Sequence, residues 1–201
     1  MEKNFKIVVP SVGRSDYSIL RNLILEAQKN RKYNSHVVSI GSHNSKLFGD
    51  TVNLFNKDKI KKKEFIKIKY LKNNKNNTIL YFSKILLEID RILKKLKPHV
   101  CIIMGDRYEM LATAITCKNL NIKIVHLCGG STTEGSHDND YRYCISRLSD
   151  FHFVETKQHK KALLNNDIKN NRILVSGAPA LENLDNKKNK NKDILFNELN
   201  I

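Results

Sequence analysis

Acids, hydroxyls and guanidinium groups gather at four places in the chain, each just after a short apolar run. Gly105-Asp106-Arg107-Tyr108-Glu109 follows Val100–Met104. A carboxylate with a neighbouring arginine there can act as a base beside an anionic ligand. The same Asp106 can instead cap a helix beginning around Tyr108 to Met110. A longer loop, Cys128 to Asp140, follows Ile122–Leu127 and holds Gly129-Gly130, Ser131, two threonines, Glu134, His137 and Asp138. Paired glycines let backbone approach a ligand or take positive φ. Asp138 can cap a helix over Tyr141–Leu148, and Arg142 would face the loop from that helix's first turn. Acids beside Arg142 and His137 would have separated pKa values, as an acid and a base require. Gly13-Arg14-Ser15-Asp16-Tyr17 puts backbone N–H groups and a guanidinium at a helix start, a natural anion site. It lacks the G-x-G-x-x-G spacing, so dinucleotide binding has no support. Gly41-Ser42-His43 reads as a polar turn, with His43 an ordinary loop residue unless other residues recruit it.

The elements that must hold these segments alternate between strand and helix. Strands are expected at Phe5–Pro10, Ser35–Ile40, Phe65–Tyr70, Val100–Met104, Ile122–Leu127, Phe151–Val154 and Arg172–Val175. Several are unbroken apolar runs, as strands covered on both faces of a parallel sheet are. The clearest helix is Thr78–Leu96, where Ile79, Phe82, Leu86, Ile89 and Leu93 recur every three or four residues, and Pro98 stops it. Such alternation predicts an α/β fold with a doubly wound, mostly parallel sheet. Ligands then bind beyond the C-terminal ends of the strands, where Ser11–Tyr17, Gly41–Thr51, Gly105–Glu109 and Cys128–Tyr143 fall.

Composition narrows the function classes. With 201 residues, 40% hydrophobic and 28% charged, the chain is long enough for a full domain core. No apolar run approaches the ~20 residues that span a bilayer, and Phe5–Pro10 is too short for a secretion signal, so a cytoplasmic address is expected. Cys101, Cys117, Cys128 and Cys144 stand 16, 11 and 16 residues apart with no Cys-x-x-Cys pair, which favours buried thiols over disulfides or zinc. The net charge of +16 comes partly from runs in which lysine alternates with asparagine, at 71–77 and 186–192. Those runs contain no aromatics for base stacking, so solvated loops are expected rather than nucleic-acid binding. Residues 1–184 are expected to form one domain, and 185–201 a Lys/Asn-rich linker leading into a second domain.

Taken in order, the motifs resemble the hydrolysing UDP-N-acetylglucosamine 2-epimerases of sialic-acid-type pathways. The matching pieces are Gly13-Arg14-Ser15-Asp16-Tyr17, Gly41-Ser42-His43-Asn44-Ser45 with Phe48-Gly49-Asp50-Thr51-Val52, Gly105-Asp106-Arg107-Tyr108-Glu109 and His126-Leu127-Cys128-Gly129-Gly130. Thr133-Glu134-Gly135, Asp138-Asn139 with Arg142, Ser149–Val154 and Gly177-Ala178-Pro179 continue the series. The resemblance implies a Rossmann-like half of a glycosyltransferase-B-like two-domain fold, with the active site for a UDP-sugar substrate in the interdomain cleft and the missing C-terminal domain holding most of the nucleotide. It implies elimination of UDP to a 2-acetamidoglucal, then addition of water to give N-acetylmannosamine, with no cofactor and no metal. By matched position Asp106 and Asp138 are the acid/base candidates, with Glu134 a third. Arg14 and Arg142 would meet the diphosphate, His43 the sugar side, and Arg107 and Glu109 belong to the substrate-binding set. The complete enzyme is expected to be a homo-oligomer without membrane attachment. Cys128 and Ser131 stand where relatives often carry glutamate, and Glu134 is the candidate replacement. The alternative is a truncated, non-catalytic sugar-nucleotide-binding module.

Overall fold

The computed structural model describes residues 5–44, 51–66, 68 and 76–182. Among these residues seven parallel strands form one sheet: β1 (Phe5–Ser11), β2 (Tyr33–Ser39), β3 (Lys63–Phe65), β4 (Val100–Met104), β5 (Lys123–Leu127), β6 (Phe151–Val154) and β7 (Ile173–Val175). Their order is β3-β2-β1-β4-β5-β6-β7. Among the described residues six α-helices join them: α1 (Arg14–Lys29), α2 (Asn53–Lys57), α3 (Asn76–Leu96), α4 (Tyr108–Asn119), α5 (Asp138–Leu148) and α6 (Lys157–Leu164). The sheet is therefore wholly parallel. Six of the expected strands stand close to their expected ranges, whereas β3 comes earlier and shares only Phe65 with the expected Phe65–Tyr70, of which 67 and 69–70 lie outside the described residues.

The core follows the strand alternation. Val8, Cys101, Ile103 and Ile124 point to one face and pack with α3, α4 and α5. Ile7, Val9 and Val37 point to the other and pack with Tyr17, Leu20 and Ile24 of α1 and Phe55 of α2. Fully buried residues such as Ile103 and Ile124 stabilise the fold by roughly 1.5–3 kcal/mol each. Helix α3 departs from the expected face. Its buried side is Tyr81, Ile85, Ile89, Ile92 and Leu93, whereas Ile79 is 75% exposed. Apolar residues occupy two neighbouring stripes of this helix, and the one holding Ile85 and Ile92 meets the sheet.

This strand order places the reversal of winding between β1 and β4, which pair through Ile7–Val100 and Val8–Cys101. From β1 the chain leaves to α1 on one face, and from β4 to α4 on the other. In a doubly wound sheet the ligand crevice forms at the C-terminal edge where connections part in this way. The expected boundary at 184, the 185–201 linker, the Phe48-Gly49-Asp50 segment and the lysine-rich run at 186–192 lie outside the described residues, as does most of the run at 71–77. Among the described residues, no helix is long and apolar enough to cross a membrane.

Candidate active site

The first two loops are locked together. A Cβ on Gly13 would come within 2.7 Å of the Ser42 hydroxyl, which itself donates to the Val12 carbonyl at 2.9 Å. Glycine at 13 thus allows the β1 and β2 ends to touch. Asp16, in the first turn of α1, reaches back and accepts the Val12 N–H at 3.1 Å, fixing the turn that aims Arg14. Arg14 is exposed at the start of α1, where N–H groups and the helix dipole already favour an anion. Tyr17 belongs to the scaffold: it is buried, donates to Asp58 at 2.7 Å and packs edge-on against Phe55.

His43 does not lie open at this edge. Its ring is fully buried, with Nε2 2.9 Å from the Ser11 hydroxyl and Nδ1 2.7 Å from that of Thr51. Burial lowers its pKa to about 4, so it is neutral at physiological pH. It ties the end of β1 to the segment before α2. Glu109 is likewise fully buried. Its carboxylate takes both the Nε (3.1 Å) and Nη2 (2.9 Å) of Arg107, and it lies under Gly41, whose added Cβ would be 3.2 Å from it. The Arg107 side chain remains 44% exposed above that pair.

Beyond β4, Asp106 does not cap α4. Arg107 holds the N-cap position, and no side chain caps that helix. Asp106 instead pairs with the Arg142 guanidinium of α5. The other arm of Arg142 donates to the Ser131 carbonyl at 2.5 Å. Arg142 therefore straps the β4 turn to the loop after β5, and its side chain is only 8% exposed. It lies in the second turn of α5, because that helix starts earlier than expected. The Ser136 hydroxyl accepts the Asp138 N–H at 3.1 Å, so Asp138 is the first helical residue and His137 occupies the cap position.

The loop after β5 is braced from within. Asn139 accepts the Thr133 N–H at 2.9 Å and donates to the carbonyls of Thr133 and Ser136. Glu134 lies at the loop's exposed turn, and Asp138 is half-buried at the head of α5. Gly129 and Gly130 serve packing. A Cβ on Gly130, where φ is +78°, would strike the His159 carbonyl at 2.3 Å. Below them His126 donates through Nε2 to the Gly105 carbonyl at 2.8 Å and accepts the Ser146 hydroxyl at Nδ1 (3.0 Å). It is wholly buried, and burial lowers its pKa to about 4. It couples the turns after β4 and β5.

Motif reading passed over a further acid, Glu155, directly after β6. Its carboxylate stands 3.4 Å from Nδ1 of His159 and beside the Cys128 thiol. Burial first, then Glu155, push that thiol up to about 12, so it stays protonated and unreactive. The strand-end rule points to Glu155, but no glycine or turn signature marks the position. Cys101 and Cys117 are buried as expected, Cys128 is half-buried and Cys144 is exposed. Among the described residues no three His, Cys, Asp or Glu side chains converge as metal ligands.

Arg14, Asp106, Arg107, Glu134, Asp138 and Glu155 thus follow strand ends on one edge of the sheet, while His43, Glu109, Arg142 and His126 support them from inside. Comparisons with known proteins follow the same outline. A family model described as UDP-N-acetylglucosamine 2-epimerase matches residues 25–199. A GDP/UDP-N,N'-diacetylbacillosamine 2-epimerase (hydrolyzing) from Campylobacter jejuni is 35% identical over 93% of this chain and 48% of its own length. A UDP-N,N'-diacetylbacillosamine 2-epimerase (hydrolyzing) from Legionella pneumophila is 31% identical over 96% of this chain and 51% of its own. The UDP-GlcNAc 2-epimerase structure from Neisseria meningitidis, bound to UDP-GlcNAc, superposes with a TM-score of 0.79 at 21% identity, over 90% of this chain and 48% of that one. The fold is one half of that glycosyltransferase-B-like architecture. The chain spans about half the length of the curated relatives it matches.

Proposed function

The chain belongs to the UDP-N-acetylglucosamine 2-epimerase family, and on that premise we propose that it is the N-terminal half of a hydrolysing UDP-sugar 2-epimerase. The substrate class is a UDP-linked 2-acetamido sugar, with UDP-N-acetylglucosamine the simplest member. Proton removal at C2 and loss of UDP from C1 give a 2-acetamidoglucal, and water then adds to release the free 2-epimer, N-acetylmannosamine. A C2 hydrogen is weakly acidic, so a placed base contributes ~10²–10⁴-fold. Asp106 is that base, and Asp138 and Glu134 stand on the loop that would close over the sugar. Arg14 meets the departing diphosphate at the head of α1, with Arg107 beside the crevice. Arg142, His43 and Glu109 act by holding these loops in register. A second domain would supply the nucleotide pocket, and the assembled enzyme would work in the cytoplasm as an oligomer.

The observation that carries this reading is the Asp106–Arg142–Ser131 strap at the edge where Arg14 also emerges. Incubating the full-length protein with UDP-N-acetylglucosamine tests it. UDP release matched by N-acetylmannosamine is the expected result, and no turnover of any UDP-2-acetamido sugar removes the proposal. A second reading concerns the sugar: the Campylobacter and Legionella relatives, which match more than nine-tenths of this chain, are named for N,N'-diacetylbacillosamine. A kcat/KM at least ~10-fold higher for that UDP-sugar would select it.

A further inference from the structure

Inversion at C2 takes a proton from one face of the sugar and returns one to the opposite face. One carboxylate in a fixed position serves only one of these steps. The loop after β5 lies between two acids. On its β4 side is Asp106, bound through Arg142 to the Ser131 carbonyl. On its β6 side is Glu155: the Cys128 N–H donates to the Phe153 carbonyl at 3.0 Å, so the loop and Glu155 leave neighbouring strands together. Glu155 lies against His159 at 3.4 Å, and the His159 carbonyl fills the space over Gly130. The Glu155 side chain keeps 28% of its surface open. Asp106 and Glu155 both act electrostatically on the Cys128 thiol between them. Glu134 is exposed at the loop's outer turn, and Asp138 is half-buried at the head of α5.

We propose that Glu155 is a second catalytic carboxyl group of this site, returning the proton to C2 from the side opposite Asp106. The inference rests on the epimerase reading above. Asp106 takes the C2 proton, the C–H electron pair becomes the C1=C2 double bond, and the C1–O bond breaks with its pair leaving on UDP. Water oxygen then bonds to C1 while the Glu155 carboxyl gives its proton to C2. The surplus proton of that water restores Glu155, and the proton held by Asp106 leaves to solvent with UDP. Nδ1 of His159 lies 3.4 Å from the Glu155 carboxyl group, on the α6 side.

Glu155→Gln in the full-length protein separates the two half-reactions. It keeps the shape of the side chain but cannot supply the proton. UDP release is expected to continue while N-acetylmannosamine formation falls at least ~10²-fold and 2-acetamidoglucal accumulates. Asp106→Asn is expected to suppress both products together. N-acetylmannosamine formation by Glu155→Gln within about twofold of wild type overturns the role of Glu155 and leaves the epimerase reading standing. Equal loss of UDP and N-acetylmannosamine release also overturns it. Should Glu155→Gln fail to fold, Glu155→Ala combined with Cys128→Glu decides, because it moves the carboxylate to the adjacent strand end. Recovery to at least a tenth of the wild-type rate supports the proposal, and a rate below a hundredth overturns it. A wild-type protein without turnover removes the epimerase reading itself.

Discussion

Arg142, in the second turn of α5, forms an ion pair with Asp106, 36 residues earlier in the turn after β4, and with its other arm donates to the Ser131 carbonyl at 2.5 Å. One guanidinium thereby fixes the spacing of two strand-end loops. The planar fork suits this task, because it presents donors in two directions at once. Its Nε is buried without a hydrogen-bond partner among the described residues, so the contacts to Asp106 and Ser131 carry the whole strap.

Removing the fork should cost stability as well as activity. Arg142→Ala leaves the Asp106 carboxylate, 21% exposed, without its partner and opens a space under Ser131. A loss of ~2–4 kcal/mol is expected, read from urea denaturation. Arg142→Lys keeps the charge but cannot make both contacts, so it should recover less than half of that loss.

Three buried histidines, His43, His126 and His152, each have a pKa lowered from 6.5 to about 4 by burial. Between those two values the unfolded chain binds protons that the native one refuses. Stability is therefore complete above about pH 6.5 and falls as pH drops toward 4. Lowering the pH from 7 to 5 should cost roughly 1–2 kcal/mol per histidine. Urea midpoints at the two pH values check this, and His43→Asn should flatten the slope by about a third of the histidine share.

Two glycines with the same backbone angle should respond differently. Gly105 and Gly130 both have φ near +78°, but an added Cβ meets nothing within 4 Å at Gly105 and the His159 carbonyl at Gly130. Gly105→Ala should cost only the backbone strain, ~1 kcal/mol. Gly130→Ala should cost at least ~3 kcal/mol or prevent folding, since α6 must shift. Thermal melts of the pair measure the difference.

Cysteine labelling should be selective. Cys144 is exposed, Cys101 and Cys117 are buried, and the half-buried Cys128 thiol has its pKa pushed up to about 12. Iodoacetamide at pH 8 should modify Cys144 at least ~10-fold faster than Cys128, as mass spectrometry of native protein would show.

The sheet was legible in the sequence because continuous apolar runs have one good use in an α/β chain. Val100–Met104 and Phe151–Val154 match their expected ranges to the residue. The contact face of α3 was less legible: apolar residues line two stripes, and only the sheet decides that Ile85 and Ile92 go in while Ile79 stays out. Within the candidate site, the strand-end loops marked the edge of the sheet on which Arg14 and Asp106 stand. Their partners were not readable, because the Asp106–Arg142 pair joins elements far apart in the chain. His43 resembled an exposed loop residue until the rings of Tyr17 and Phe55 were seen beside it. Glu155 follows a strand with no glycine to flag it, and its place beside Cys128 depends on the pairing of β5 with β6.

Turnover in deuterium oxide reports proton abstraction and return at C2 of a UDP-linked 2-acetamido sugar. The full-length protein should convert UDP-N-acetylglucosamine to UDP and N-acetylmannosamine carrying one deuterium at C2, with Asp106→Asn at least ~10²-fold slower. Release of N-acetylglucosamine instead, or of a product that retains its original C2 hydrogen, would rule out epimerisation through C2 deprotonation.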